Sequence, residues 1–404
     1  MAIVVEPYIP QSITVHLGPP NVPAENVTVS FPDYVKTVAS SEIYPTWEPA
    51  AIRANVLAII SFALNRVYTE FYPSRGYDFQ ITSSTAYDQK FIRGRNFFDS
   101  ISRVVDEIFD DYIRRQGFVE PLAAKFCNGT TVTCDGLSQW GSQELAKQGL
   151  DTMSILRRYY GNDIELVQNA PIQGIRASYP GYPIGLGASG PEVSVIQASL
   201  NRISRNYPAV PKIPAVTGVF GEATRNAVRE FQQIFGLTPD GVVGKATWYE
   251  LVRLYVAVTE LAELVSQGQN YYNVRFAYTG PLREGDRGGA VRVLQYMLAI
   301  LAQFDNSLTP VQIDGDFGPT TAQAVREFQR VNGLAVDGVV GERTWRAIYR
   351  AFASAERDLR RDDVRFSNDV LRAAGEYRQH VRLGQYPGKE LKPGDSDNEE
   401  VVAV

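Results

Sequence analysis

The feature that most constrains this chain is an internal repeat. The segment TGVFGEATRNAVREFQQIFGLTPDGVVGKATWYEL at 217–251 returns as DGDFGPTTAQAVREFQRVNGLAVDGVVGERTWRAI at 314–348. AVREFQ and DGVVG recur unchanged, and Phe-Gly, Gly-Leu and Thr-Trp recur at matching places. Upstream, GASGPEVSVIQASL at 187–200 answers GDRGGAVRVLQYML at 285–298, with one residue gained or lost in the intervening loop. Self-similarity over this period means one supersecondary unit used twice.

Each unit reads as three short helices. The first carries Val193, Ile196 and Leu200, or Val291, Leu294 and Leu298, at the three-and-four spacing that makes one apolar stripe. The second opens after Phe-Gly and buries Ala227, Val228 and Phe231, or Ala324, Val325 and Phe328. Asp-Gly pairs supply turns where a positive φ is needed. A third helix holds Trp248 or Trp345.

The pattern DG-x-FG-x-x-T, AV-x-x-FQ, GL-x-x-DG-x-x-G-x-x-T-W resembles the peptidoglycan-binding type 1 domain, and both copies match nearly throughout. The resemblance implies three-helix modules that hold peptidoglycan and catalyse nothing. Phe, Leu, Trp and the turn glycines read first as core and turn residues. Gln232, Trp248, Gln329 and Trp345 are the candidate glycan contacts. Module 1 is expected over 171–255 and module 2 over 277–352, with mixed-charge helical spacers at 256–276 and 353–384. QYPGKELKPGDSDNEEV at 385–401 parallels the start of a unit, so 385–404 reads as a third module cut short.

Residues 1–170 have a different texture. Alternating ITVHL and VTVSF read as strands, and TAYDQKFIRG as a further strand and turn. ASSEIYPTWEPAAIRANVLAIISFALNRVY reads as a short helix, a proline turn, and a long buried helix opening at Pro49, a position where proline is well tolerated. Glu42 then ends an apolar helical turn beside Tyr44 and Trp47. Desolvation there disfavours the carboxylate and leaves a proton to donate near neutral pH.

VASSEIYPTWEPAAIRANVLAIISFAL resembles the first motif of the stage II sporulation protein D family, a group of lytic transglycosylases. AYDQKFIRG at 86–94 is similar to that family's middle segment, and CDGLSQWGSQELAKQGLDTMSILRRYYG at 134–161 to its second motif. The resemblance covers most of 30–165 and puts the catalytic carboxylate at Glu42. It implies a glycan groove lined by Tyr87, Asp88, Gln89, Ser138, Gln139 and Trp140. The order of domains is similar to that of spore cortex-lytic transglycosylases. The chain departs from the pattern where Ile60 stands for an arginine, and where Cys134-Asp135-Gly136 replaces a histidine-bearing stretch.

The expected fold class is therefore multidomain: an α+β N-terminal catalytic domain followed by two three-helix all-α binding modules. The 404 residues allow two to four domains, and 21% charged residues with a net charge of −5 argue against a nucleic-acid partner. The apolar stretch Val56–Leu64 is too short and too interrupted to span a bilayer. MAIVVEPYIPQ lacks the pattern of a signal peptide. Cys127 and Cys134 sit across an Asn-Gly turn, a spacing that fits a disulfide, two thiols or half a metal site. With His16 and His380 remote in sequence, no metal and no cofactor are expected. The expected activity is cleavage of the MurNAc–GlcNAc bond of peptidoglycan glycan strands to 1,6-anhydro-MurNAc ends, in the cell wall or spore cortex. The alternative is a non-catalytic peptidoglycan-binding adaptor; an activating or scaffold protein is left unassigned.

Overall fold

The computed structural model describes residues 6–259, 270–271, 276 and 278–358. They fall into two compact units that divide between 272 and 273. The expected third module at 385–404 lies outside the described residues, as do most of both spacers.

The N-terminal region opens with β1 (Ile9–Pro10), β2 (Ser12–His16) and β3 (Asn26–Ser30). Alternation in β2 and β3 produces an antiparallel pair, and β4 (Ile81–Thr82) adds to β2 in parallel. Ser30 caps α1 (Phe31–Glu42): its hydroxyl accepts the Asp33 N–H, satisfying one of the free first-turn donors. Then comes α2 (Pro49–Tyr68), which begins with its proline at the first turn. Every α2 side chain from Ala51 to Val67 except Arg53 is buried. A helix apolar all round belongs in an interior, and α2 is the axis of this domain. The stretch Pro49–Arg75 is long and apolar enough to cross a bilayer by composition, but 89% of its apolar window is buried inside the fold.

The polar residues that interrupt α2 brace it. Ser61 donates to Leu57 O and accepts the Ile113 N–H, and Asn65 donates to Pro121 O. Around α2 lie α3 (Asp99–Ile108), β5 (Tyr112–Arg115), β6 (Phe126–Cys127), β7 (Val132–Thr133), β8 (Leu137–Ser138), α4 (Gln139–Lys147), α5 (Thr152–Tyr160), β9 (Ile164–Val167) and β10 (Ile172–Gln173). Pairs β5–β9 are antiparallel, while β6–β8 and β1–β10 are parallel. Cys127 and Cys134 are disulfide-bonded, which decides among the three states left open by their spacing.

The strand expected at TAYDQKFIRG does not form; residues 85–87 turn instead and the chain bends at Asp88. The turn brings the Asp88 carboxylate to Arg66, Tyr72 and Thr82 in the interior.

In the first repeat, α6 (Pro191–Ile203), α7 (Glu222–Ile234) and α8 (Lys245–Thr259) enclose Val193, Ile196, Leu200, Phe220, Val228, Phe231 and Trp248. In the second, α9 (Gly289–Leu301), α10 (Pro319–Val331) and α11 (Glu342–Asp358) bury Val291, Leu294, Leu298, Phe317, Val325, Phe328 and Trp345. The remaining strand, β11 (Asn270–Tyr271), pairs with β7. Neither third helix stops at its expected boundary: α8 runs on past 255 and α11 past 352, into the segments read as spacers.

Candidate active site

Glu42 is the last residue of α1, where the helix gives way to extended backbone at Ile43. The side chain is partly buried. Its Oε1 accepts the Lys90 backbone N–H at 3.0 Å, and its Oε2 accepts the Gln139 side-chain amide at 3.1 Å. Three segments remote in sequence thus meet at one carboxylate. Burial pushes the Glu42 pKa up, against the Lys90 charge, the Gln139 amide, the Lys90 N–H and Arg95, all of which favour the ionised form. The carboxyl is therefore easier to protonate than an exposed glutamate, yet has partners ready for its negative charge.

Gln139 is placed by the start of α4. Ser138 caps that helix through the Gly141 N–H at 3.0 Å. A Cβ at Gly141 would lie 2.3 Å from the Tyr159 hydroxyl and 2.8 Å from Ser138 Oγ, so any side chain there would force its neighbours to shift. α4 is fastened to α2: Asn55 Nδ2 donates to Ser142 Oγ at 2.8 Å, Ser142 Oγ donates to Gln139 O at 2.6 Å, and the Glu48 N–H donates to Gln143 Oε1 at 2.8 Å. Tyr44 and Trp47 follow Glu42 closely in the chain, and Trp140 directly follows Gln139. Tyr44 lies 5.9 Å from both Trp47 and Trp140, and Trp47 and Trp140 are 5.1 Å apart, edge to face. Trp140 is the least buried of the three.

The other groove residues take different places from those expected. Asp88 is buried in an ion pair with Arg66 Nε at 2.8 Å, and its Oδ2 accepts Tyr72 OH, Thr82 Oγ1 and the Thr82 N–H. Gln89 is buried too, accepting Tyr34 OH and donating to Ile59 O, so it braces α1 against α2. Neither offers a free polar group to a sugar. Tyr87 stays half-buried, with its carbonyl accepting from Arg66 Nη2. Ser138 serves as the α4 cap. The candidate site therefore comes down to Glu42, Gln139 and Trp140, with Lys90, Arg95, Tyr44 and Trp47. Lys90 and Arg95 were missed. Lys90 acts through its backbone N–H, which no side-chain pattern announces, although it directly follows the Asp-Gln pair.

The four expected contacts in the repeats are interior as well. Gln232 donates to Asp240 Oδ1 and Val242 O, and accepts the Gly241 N–H. Gln329 repeats this with Asp337, Val339 and Gly338. Both side chains clamp the second Asp-Gly turn, whose glycine sits at φ 75° or 74°. Trp248 Nε1 donates to Ser178 Oγ at 2.7 Å, and Ser178 in turn donates its N–H to Glu70 of the N-terminal region. Trp345 Nε1 donates to Phe276 O at 3.1 Å. All four side chains are buried and make their bonds within the fold. Among the described residues no three of His, Cys, Asp and Glu converge on a point that would hold a metal ion.

Residues 189–251 and 287–348 each match the family described as "Putative peptidoglycan binding domain". Both repeats are peptidoglycan-binding domains. The chain is 41% identical over 75 residues to a zinc D-Ala-D-Ala carboxypeptidase of Streptomyces albus G, covering 19% of this chain and 28% of that protein. It is 30% identical over 169 residues to a "Probable N-acetylmuramoyl-L-alanine amidase" of Bacillus licheniformis, covering 42% and 45%. Among solved structures, the SleB N-terminal domain is 32% identical, covering 19% of this chain and 99% of that one at a TM-score of 0.17. The chain spans less than half the length of the carboxypeptidase and of the amidase. The family match lies wholly in the repeats and does not reach Glu42.

Proposed function

We propose that the N-terminal domain is a lytic transglycosylase that cleaves the MurNAc–GlcNAc bond of peptidoglycan, held to its polymer by the two binding domains. The observation that carries this reading is the single carboxyl of Glu42, raised in pKa by burial yet supplied with two hydrogen-bond donors for its charged form. Protonated Glu42 gives its proton to the glycosidic oxygen as an oxocarbenium-like state develops on the muramic ring. The resulting carboxylate is received by the Lys90 N–H and the Gln139 amide. It then takes the proton of the sugar's own C6 hydroxyl, whose oxygen closes on C1 to give the 1,6-anhydro ring. One carboxyl performs both transfers, so no second acid is needed.

A two-carboxylate hydrolase would need Asp88 or Glu48 as partner. Asp88 is occupied by Arg66, and Glu48 is exposed at the start of α2. The Cys127–Cys134 disulfide is what an oxidising compartment sustains, in keeping with work in a cell wall or spore cortex. The rival worth testing is a non-catalytic peptidoglycan-binding adaptor, favoured by Ile60 where the resembled family has arginine.

The test is mass spectrometry of muropeptides released from purified sacculi or spore cortex by the full chain and by Glu42→Gln. Anhydro ends are expected from the unaltered chain, reduced at least ~100-fold in the variant while wall binding persists. Reducing ends would make the domain a hydrolase. Release of nothing by the unaltered chain would make it an adaptor.

A further inference from the structure

The two binding domains share their core and differ on one exposed face. That face is formed where the lead-in loop bridges the first turn of the repeat, at Ser189–Val219 in the first domain and Arg287–Asp316 in the second. Counting matched positions outward from this bridge, the first domain has Gly185, Leu186, Ala188, Ser189, Ser194, Thr217 and Val219. The second has Arg283, Glu284, Asp286, Arg287, Arg292, Asp314 and Asp316. At these seven places one copy is uncharged and the other ionisable; within 185–194 and its counterpart 283–292 a single position, Glu192 against Ala290, runs the other way. Elsewhere the copies keep the same turns: the glycines at 187 and 285, and those at 218 and 315, share positive φ. The first-helix glutamines clamp the turn alike, with the Gly218 and Gly315 N–H groups donating to Gln197 and Gln295. The backbone platform is one design carrying two chemistries.

In the second domain the platform is open to a charged ligand. Arg287 Nε lies 3.0 Å from Asp316 Oδ1, with the side chains 79% and 54% exposed. An ion pair so exposed contributes little to stability, so opening it for a ligand costs little. Arg292 lies beside the same turn, with Nη2 directed at Asp314 O. Asp286 and Asp314 spend oxygens on the turn itself, accepting the Arg283 and Asp316 N–H groups, which leaves Arg283, Glu284, Arg287, Arg292 and Asp316 facing outward. In the first domain Leu186 and Val219 stand 54% and 53% exposed at the same place, with Glu192 the nearest acid on α6.

We propose that the second binding domain engages the peptide stems of peptidoglycan through this face, and that the first does not. Within the polymer the sugars are uncharged once the lactyl carboxyl is in amide linkage. Free carboxylates and amino groups belong to the stems, so a surface presenting both signs is complementary to stems and not to bare glycan. Guanidinium groups pair carboxylates in bidentate fashion, and Glu284 and Asp316 face a stem ammonium. This rests on the reading that the chain binds peptidoglycan, but not on its cleaving it.

The experiment uses the full chain in a Glu42→Gln background, with retention measured on intact sacculi and on glycan strands stripped of stems by an amidase. The charged bridge is replaced by its counterpart in Arg287→Ser/Asp316→Val, and the reverse change is Ser189→Arg/Val219→Asp. Retention on intact sacculi should fall at least threefold in the first variant with little change on stripped strands. The parent's preference for intact sacculi should shrink as salt screens the contacts. The second variant should gain salt-sensitive retention on intact sacculi. Equal retention by parent and first variant on both polymers, or an equal loss on both, would overturn the assignment to stems. Failure of the parent to bind either polymer would overturn the peptidoglycan reading itself.

Discussion

Gln139 donates its side-chain amide to Glu42 Oε2 at 3.1 Å, across 97 residues of chain. The bond joins the end of α1 to the start of α4 and sets what the carboxyl can do. Because the amide favours the charged form, it works against burial in fixing the Glu42 pKa. Gln139→Leu removes the donor and leaves burial less opposed, so the pKa rises further. An acid that must be protonated to act stays protonated to higher pH. The alkaline limb of the kcat/KM profile should therefore move to higher pH, while the plateau falls because the carboxyl is less well held. A limb that stays in place, or moves to lower pH, would remove Gln139 from this role.

Asp88 and Arg66 form a different kind of pair. Both side chains are buried, with the guanidinium 3.8 Å from the Phe71 ring centroid as well as bonded to the carboxylate. Removing one partner strands the other's charge in the interior, at a cost of about 3–5 kcal/mol. Asp88→Asn should lower the thermal midpoint sharply in calorimetry, with activity lost in proportion to unfolding. A variant of unchanged stability but weakened glycan affinity would return Asp88 to the groove.

Those two carboxylates show what a sequence discloses. The setting of Glu42 was legible because its signals are local: an apolar helix, a helix end, and neighbouring aromatics all lie within a few residues. The repeats were legible for a related reason, since a core copied twice exposes its own periodicity. Asp88, Gln89, Gln232 and Gln329, expected to meet a ligand, are instead buried in the fold. A polar residue in a motif looks the same whether it meets a ligand or satisfies a buried backbone group, and only the fold reveals that the Gly241 N–H and the Ile59 carbonyl were waiting for them. Lys90 was invisible because it contributes a main-chain donor.

The disulfide bears on the site through the loop it closes. Asn128 Oδ1 accepts the N–H groups of Thr130, Thr131 and Val132, and Asn128 O accepts the Trp140 N–H at 3.2 Å. Reduction, or Cys127→Ser/Cys134→Ser, should cost about 2–3 kcal/mol by loop entropy and lower the thermal midpoint. Activity should fall by more than the unfolded fraction explains, because Trp140 and Gln139 lose their backing. Full activity in a reductant that demonstrably opens the bond would show that the Asn128 bonds suffice.

The last prediction separates fold from contact in the binding domains. Gln232 and Gln329 each satisfy an Asp side chain, a carbonyl and a glycine N–H at the second turn, and both are buried. Replacing either by leucine keeps roughly the volume and leaves the Gly241 or Gly338 N–H without an acceptor. Each uncompensated buried group costs about 1–3 kcal/mol. Gln232→Leu and Gln329→Leu should therefore destabilise the domain that carries them. Calorimetry of the full chain should show this as a lowered transition, and binding to sacculi should remain near normal well below it. The opposite result, an unshifted transition with binding lost at every temperature, would mean that these glutamines touch glycan after all.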